Sequence, residues 1–345
     1  MKEHAFLGVD LPIIQAPMAG VQDSQLAVAV SSAGGLGSLP CAMLSHDALR
    51  TELASIKSQT NNPINANFFC HTPPTPNAAR ELRWRSELQP YFSEYGIDSA
   101  DIPAGPGREP FSHAVADILE EFKPDIVSFH FGLPAQDLLA RVKIWGAKIL
   151  GCATTIEEAQ WLEANGADAI IAQGLEAGGH RGIFLSDDLS AQVGTFALLP
   201  QILQRVTVPV IAAGGICDAK SVAAALSLGA AAVQVGTAYL LCPETKSSPV
   251  HRAAIKGEHA HQTAITNIFS GRPARGIVNR VIREVGPIND HVSEFPLAST
   301  AITALRKKAE KTGSGDFSPL WCGQNPSGCK EISAAELTRE LAGDV

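Results

Sequence analysis

Eight short apolar runs recur along the chain, and helical patterning separates most of them. Each run ends in Gly, Pro or a small polar residue, and the runs cover residues 13–18, 35–39, 64–69, 126–131, 148–153, 169–173, 210–213 and 232–236. Runs without a strict alternation of apolar and polar residues predict strands buried on both faces, as in a parallel sheet covered by helices. Eight such units favour a closed TIM (β/α)8 barrel, although the count alone does not exclude an open doubly wound sheet.

Helix-boundary signals support the later units. Residues 154–158 read Thr-Thr-Ile-Glu-Glu, which predicts a capped helix start, and Asn165-Gly166 predicts the left-handed end of that helix. Asp218 is positioned to cap a helix over residues 219–228, which Gly229 would end. We therefore expect one barrel domain over residues 1–345.

Two segments lie outside the repeat. Residues 70–124 put about 55 residues between the third and fourth predicted strands, with a predicted helix over 77–95 and a flexible Ala104-Gly105-Pro106-Gly107. A loop that follows a strand leaves at the active-site face of a barrel, so we expect this insertion to act as a lid. The second segment, residues 242–345, is expected to form helices packed beside the barrel, with a rigid basic loop at 271–276.

Composition excludes several classes of partner. The formal charge is −8, and no Lys/Arg cluster with interleaved aromatic residues is present, so a nucleic acid is not expected. The seven cysteines contain no C-x-x-C pair, which predicts free thiols in a reducing cytoplasm rather than a disulfide framework or a metal site.

No signal peptide is expected at residues 1–10. Residues 221–242 carry no charge, but Gly229 divides them into a helix-like and a strand-like half, so no membrane span is expected.

Small and amide residues are concentrated where the predicted strands end. Gly214-Gly215 and Gly236-Thr237 follow the seventh and eighth strands, where backbone N–H groups can approach a phosphate. The amides of Asn67, Gln173 and Gln234 can hydrogen-bond a heterocycle, although Asn67 and Gln173 can equally satisfy buried backbone. This combination predicts a nucleotide-like cofactor, and FMN suits the mouth of a barrel.

Two histidines stand at strand ends. His180 lies in a glycine-rich loop after the sixth strand, where core packing gives little reason for a histidine. His130 ends the fourth strand, where it can face the pocket and bind substrate or only bond a neighbouring backbone group.

Four segments together resemble the nitronate monooxygenases, in particular their first class, which works without a nicotinamide cofactor. The segments are Gln15-Ala16-Pro17-Met18-Ala19-Gly20, residues 128–132, residues 172–181 with their Glu-Ala-Gly-Gly-His-Arg element, and Ala212-Ala213-Gly214-Gly215-Ile216. The resemblance implies a catalytic His180 and FMN bound by Asn67, Gln173, Gly178, Gly215, Gln234, Val235, Gly236 and Thr237. The neighbouring Ala16, Pro17, Met18, Gly179 and Gly214 complete the predicted cofactor site.

The implied reaction is the oxidation of an alkyl nitronate, such as propionate 3-nitronate, by O2 to a carbonyl compound with release of nitrite or nitrate. His180 would hold the anionic nitronate electrostatically or act as a base on a neutral nitroalkane. Many first-class members carry tyrosines and a lysine where this chain has Phe295, Ser299 and Thr303, which affects the expected substrate more than the cofactor. Two alternatives remain: an NAD(P)H-dependent flavin reductase of the quinone or enoyl-acyl-carrier type, and a non-catalytic barrel that binds a phosphate ligand.

Overall fold

Eight parallel strands lie side by side in the computed structural model, which describes residues 3–102 and 108–343. They are β1 (Ile13–Gln15), β2 (Gly37–Pro40), β3 (Ile64–Phe69), β4 (Ile126–His130), β5 (Lys148–Ala153), β6 (Ala169–Gln173), β8 (Val210–Ala213) and β9 (Ala232–Val235), while the two-residue β7 (Gly179–His180) belongs to another sheet. β1 pairs with β9, and a parallel bridge between Ile14 and Leu36 joins β1 to the start of β2. The sheet therefore closes, and the predicted TIM barrel is confirmed.

Helices cover the outside of the barrel because the strands are apolar on both faces. The covering helices are α1 (Ser24–Ser32), α2 (His46–Gln59), α4 (His113–Phe122), α5 (Gln136–Ile144), α6 (Ile156–Ala164), α7 (Thr195–Leu203) and α8 (Ala219–Ser227). Inside the barrel, Ile14, Leu150, Ile171 and Ile211 pack together, and Leu7 joins them from a 3-10 turn before β1. The barrel is thus a filled core, and a ligand would bind at its ends.

The two predicted helix starts carry the expected caps. Thr155 accepts a hydrogen bond from the Glu158 backbone N–H, and Asp218 forms a reciprocal capping box with Ser221. Gly166 and Gly229 follow these helices with φ values of +101° and +103°, a backbone conformation that glycine adopts without strain.

The segment between β3 and β4 contains two helices. α3 (Ala78–Glu94) is the helix predicted for residues 77–95, and Asn77 caps it. α4 packs against α2 and α5 as the barrel's own third helix, so the extra segment is shorter than the 55 residues assigned to it. The glycine- and proline-rich segment 104–107, which was predicted to be flexible, lies outside the described residues.

The C-terminal extension contains helices and a sheet. Its elements are α9 (Pro249–Lys256), β10 (Thr263–Thr266), β11 (Ala274–Ile277), α10 (Arg280–Val285), α11 (Ser299–Lys311) and α12 (Ala334–Ala342). The expected helices are present, and a short sheet that was not predicted accompanies them, so that half of the expected basic loop at 271–276 is strand. β11 pairs antiparallel with both β10 and β7, so its Arg and Gly residues are held by pairing rather than by an apolar pattern. This sheet fixes His180 against the extension.

Candidate active site

The C-terminal ends of the barrel strands surround a cavity of about 190 Å³, called here the inner cavity. It gathers almost all residues that the sequence places at the cofactor and substrate sites. These are Ala16, Pro17, Met18, Asn67, His130, Gln173, Gly178, Gly179, His180, Gly214, Gly215, Gln234, Gly236 and Thr237. Val235 is different, because its side chain is fully buried in the core outside the barrel. Successive side chains of a strand point to opposite faces, so the Val235 side chain points away from the cavity when that of Gln234 points into it.

The three amide side chains have different surroundings. Gln173 donates to the His180 carbonyl at 3.0 Å and accepts from the Gly182 N–H at 2.8 Å, so it holds the loop after β6 in place. Asn67 donates to the Ser128 hydroxyl at 2.9 Å. The Oε1 atom of Gln234 is buried and has no partner among the residues the structure describes. An unpaired buried acceptor is costly, so Gln234 has a strong reason to bind a ligand's N–H or O–H group.

Glycines line the side of the inner cavity formed by β8, β9 and the loop after β6. Gly214 and Gly215 have φ values of +116° and +74°. In the described part of the chain, the N–H groups of Gly215 and Ile216 make no hydrogen bond, which leaves them available to an anion. A Cβ at Gly179, which has a φ of +72°, would meet no atom within 4 Å. This wall can therefore accept a bulky ligand at close range.

His180 is held at the mouth of the inner cavity by three contacts. Its Nε2 lies 2.8 Å from the Ser270 hydroxyl oxygen, and its carbonyl accepts hydrogen bonds from Gln173 and from His130 Nε2, the latter at 3.2 Å. His130 thus bonds a backbone group, the alternative to substrate binding, while its ring still lines the cavity.

Both histidines are neutral at physiological pH. Burial, followed by the positive charges of Arg108 and Arg272 and by His130, holds the pKa of His180 well below its usual range. Burial also lowers the pKa of His130 to about 4. A neutral imidazole presents a lone pair, so His180 is suited to accept a proton rather than to act as a fixed cation.

Aromatic side chains surround His180. The ring centroids of Phe69, Phe131, Phe295 and Trp321 lie 6.2, 6.1, 5.5 and 5.6 Å from that of His180. Phe295 is buried in a cluster with Phe69 and Phe131, so it contributes apolar surface and no polar group to the site. These rings give the imidazole an apolar surround on the sides that they cover.

Two arginines at the site were not assigned a role from sequence. The guanidinium of Arg272 lies 4.2 Å from the centroid of Phe131 and donates to the Ile183 carbonyl at 3.2 Å. That of Arg108 lies 5.4 Å from the centroid of Phe295. The basic character of residues 271–276 pointed to Arg272, but nothing near Arg108 in the sequence distinguishes it from a surface arginine.

Arg181 and Ser270 are further residues that sequence reasoning left without a role. Arg181 is fully buried and donates to the carbonyls of Gln173 and Gly174 at 2.8 and 2.7 Å, which fixes the chain where β6 ends. Its position directly after His180 was the sequence feature that could have indicated a role for Arg181 at the site. Ser270 is distant in sequence, and only folding brings it to His180.

A larger cavity of about 1140 Å³, called here the outer cavity, adjoins the inner one. Both are lined by the same five residues, Met43, Phe69, Arg108, His180 and Trp321, which therefore form a neck between them. The insertion contributes Ile97, Asp98 and Ile102 to the outer cavity, and α11 contributes Ser299 and Thr303. A molecule entering from the outer cavity reaches His180 at the neck.

The described residues also bear on metal binding, membrane crossing and disulfide formation. Within residues 3–102 and 108–343, no three His, Cys, Asp or Glu side chains are grouped so that they could hold a metal ion. None of the described helices has both the length and the apolar character needed to cross a membrane. All seven cysteines are free, and five of them are buried.

Comparison with known proteins assigns the chain to a family. The nitronate monooxygenase family profile matches residues 2–344. Nitronate monooxygenases from Pseudomonas aeruginosa and Paraburkholderia phytofirmans are 42% and 44% identical, over 98% and 97% of this chain and 97% and 92% of theirs. The crystal structure of nitroalkane oxidase from Streptomyces ansochromogenes is similar with a TM-score of 0.89 and 37% identity, covering 97% of this chain and 95% of that one. The chain therefore belongs to the nitronate monooxygenase family of oxidoreductases.

Proposed function

We propose that this protein binds FMN in the inner cavity and oxidises alkyl nitronates, of the propionate 3-nitronate type, with O2. The products would be a carbonyl compound and nitrite or nitrate. The observation that carries the proposal is a neutral, partly buried His180 at a neck that Arg108 lines, with the positive charge of Arg272 acting on the same imidazole. Such a neck suits an anionic substrate or its conjugate acid.

Three features of the inner cavity suit FMN. The free N–H groups of Gly215 and Ile216 follow β8, the barrel's seventh strand, where TIM barrels commonly hold phosphate. The orphaned Gln234 Oε1 suits an N–H of the flavin ring or a hydroxyl of its ribityl chain. The open space beside Gly179 leaves room for a ring system. When bound there, FMN would supply the redox chemistry that couples oxidation of the substrate to reduction of O2.

His180 and its neighbours would prepare the substrate. Nδ1 of His180 has no hydrogen-bond partner in the described part of the chain, and in the tautomer that carries its proton on Nε2, facing Ser270, the lone pair of Nδ1 would be open at the neck. A nitroalkane that enters in its neutral form can lose its α-proton to this nitrogen. A preformed nitronate needs no base, and the positive potential of Arg108 and Arg272 favours its binding. The aromatic wall excludes water and strengthens these electrostatic interactions.

The insertion is proposed to act as a lid over the outer cavity. Its residues 96–98, 101–102 and 108–111 line that cavity, and Arg108 reaches the neck itself. A lid in this place would shape the substrate pocket without touching the phosphate side of the cofactor site.

Two measurements test the proposal. Heating the purified protein should release one flavin per chain, and this flavin should be the mononucleotide; recovery of FAD, of a covalent flavin or of a colourless protein would contradict it. Adding propionate 3-nitronate in air should consume O2 and release nitrite or nitrate without any added nicotinamide. A strict requirement for NADH would instead favour a flavin reductase.

A further inference from the structure

Arg108 has an unusual environment for an arginine. It lines both cavities at the neck, and burial lowers the pKa of its guanidinium while no neighbouring carboxylate offsets the effect. Among the residues the structure describes, its guanidinium donates no hydrogen bond, and its one assigned contact is the face of Phe295. Desolvating a cation without a counter-charge is unfavourable, so this side chain lacks a partner in the protein alone.

Arg272, the other arginine of the site, is better compensated. Its guanidinium donates to the Ile183 carbonyl, and the negative charges of Asp187 and Glu158 act on it. It also stacks on Phe131 at 4.2 Å, closer than Arg108 lies to Phe295. Of the two cations, Arg108 is therefore the one that needs an external anion.

Among the described residues, Arg108 is the one arginine or lysine that lines both cavities. Ser299 and Thr303 of α11 line the outer cavity with hydroxyl groups, and the Ser299 hydroxyl already donates to the Pro296 carbonyl at 2.8 Å. Lys307 and Lys311 line the outer cavity but not the inner one. A negative group on a substrate that reacts beside His180 would therefore meet the guanidinium of Arg108 at the neck.

We propose that Arg108 is a specificity-determining residue that binds a carboxylate on the substrate and thereby selects nitronates with a second negative charge over alkyl nitronates whose only charge is the nitronate group. The inference rests on the proposed function, because it assumes that the nitronate reacts beside His180. The guanidinium offers two parallel N–H groups to a carboxylate, and Phe295 limits its orientation. The outer cavity then serves as the route by which this charged end arrives.

The test compares substrates and variants of the FMN-loaded enzyme. Arg108→Gln keeps most of the stem that packs on Phe295 and removes the charge. For propionate 3-nitronate we expect kcat/KM to fall on the order of 10²-fold, mostly because KM rises. This is the expected effect of losing a charge-assisted hydrogen-bonded pair between the guanidinium and the carboxylate. For propyl-1-nitronate, which has the same carbon count and no carboxylate, the fall should stay below about threefold, the scale of a lost long-range interaction. Lys307→Gln is the matched control, because it removes a cation from the outer cavity alone, and it should behave like the wild type.

A binding measurement separates this inference from the proposed function. Isothermal titration calorimetry with succinate, an unreactive dicarboxylate, should show binding to the wild type and to Lys307→Gln, and none to Arg108→Gln. If succinate binds in this pattern while no nitronate is oxidised, the anion site stands and the proposed function fails. Equal losses on both nitronates, an equal effect of Lys307→Gln, or unchanged succinate binding in Arg108→Gln would each overturn the role of Arg108.

Discussion

The hydroxyl oxygen of Ser270 lies 2.8 Å from Nε2 of His180 and 3.3 Å from the carbonyl oxygen of Arg272. A carbonyl can only accept, and a serine hydroxyl has one proton to give. When Ser270 donates to the carbonyl, it must accept from His180, which places the imidazole proton on Nε2. The lone pair is then on Nδ1, the nitrogen left open at the neck.

Ser270→Ala is expected to slow proton removal without loss of flavin. The imidazole would lose the partner that sets its tautomer, and flavin reduction by a neutral nitroalkane should fall about tenfold, a fraction of the roughly 10²–10⁴-fold that a positioned base contributes. Ser270→Thr keeps a hydroxyl and should restore most of the rate. Ser293→Ala is the control, since the Ser293 hydroxyl is buried and bonds none of the described residues, Ser270 and His180 included. Rapid mixing of enzyme and nitroethane in the absence of O2 measures these rates, and an unaltered Ser270→Ala enzyme would refute the tautomer assignment.

The pH profile should lack an ordinary histidine ionisation. Because the pKa of His180 is held well below 6.5, the imidazole stays a competent base as the pH falls through 6.5, and activity is lost only below the lowered pKa. We expect kcat/KM for a neutral nitroalkane to remain level across that region. In Arg108→Gln the acid limb should move to higher pH, since one of the charges that lowers the pKa is gone. A half-maximal rate near pH 6.5 in the wild type would contradict the account.

Two glycines with similar backbones provide a test of the cofactor wall. Gly179 and Gly146 have φ values of +72° and +88°, and a Cβ at either would meet no atom within 4 Å. Alanine at either position should therefore cost about 1 kcal/mol of folding free energy from backbone strain. Only Gly179→Ala should also purify with less flavin, because only Gly179 lines the inner cavity. The ratio of flavin to protein and the thermal unfolding curve of each variant report the two effects, and equal flavin contents would exclude close contact at Gly179.

His180→Asn should separate the two possible roles of the imidazole. We expect FMN to remain bound and flavin reduction by a nitroalkane to fall on the order of 10²-fold, as for the loss of a general base. With a preformed nitronate no proton has to be removed, so the loss should be smaller. Equal losses with both substrates would indicate that His180 positions the substrate instead.

Local patterns predicted the barrel and the position of its mouth well. Runs such as residues 64–69 and 148–153 coincide with β3 and β5, because buried parallel strands are marked by composition and need no information from distant residues. Helix caps such as Thr155 and Asp218 could be predicted for the same reason. Residues at strand ends converge by topology alone, which is why the inner cavity contains the predicted set apart from Val235.

Contacts between residues far apart in the sequence could not be predicted from local patterns. β11 has no apolar alternation, and its strand form depends on pairing with β10 and β7. Ser270 meets His180 across 90 residues, and Arg108 reaches the neck from the middle of the insertion. The residues that flank Ser270 and Arg108 in the sequence carry no pattern that indicates which residues these two side chains meet in the fold.

Anaerobic mixing of the purified enzyme with propionate 3-nitronate tests the central claim most directly. We expect the flavin absorbance to bleach on mixing with the nitronate, to stay unchanged on mixing with NADH, and to return when O2 is admitted. Bleaching by NADH with none by the nitronate would contradict the account and identify a flavin reductase built on the same barrel.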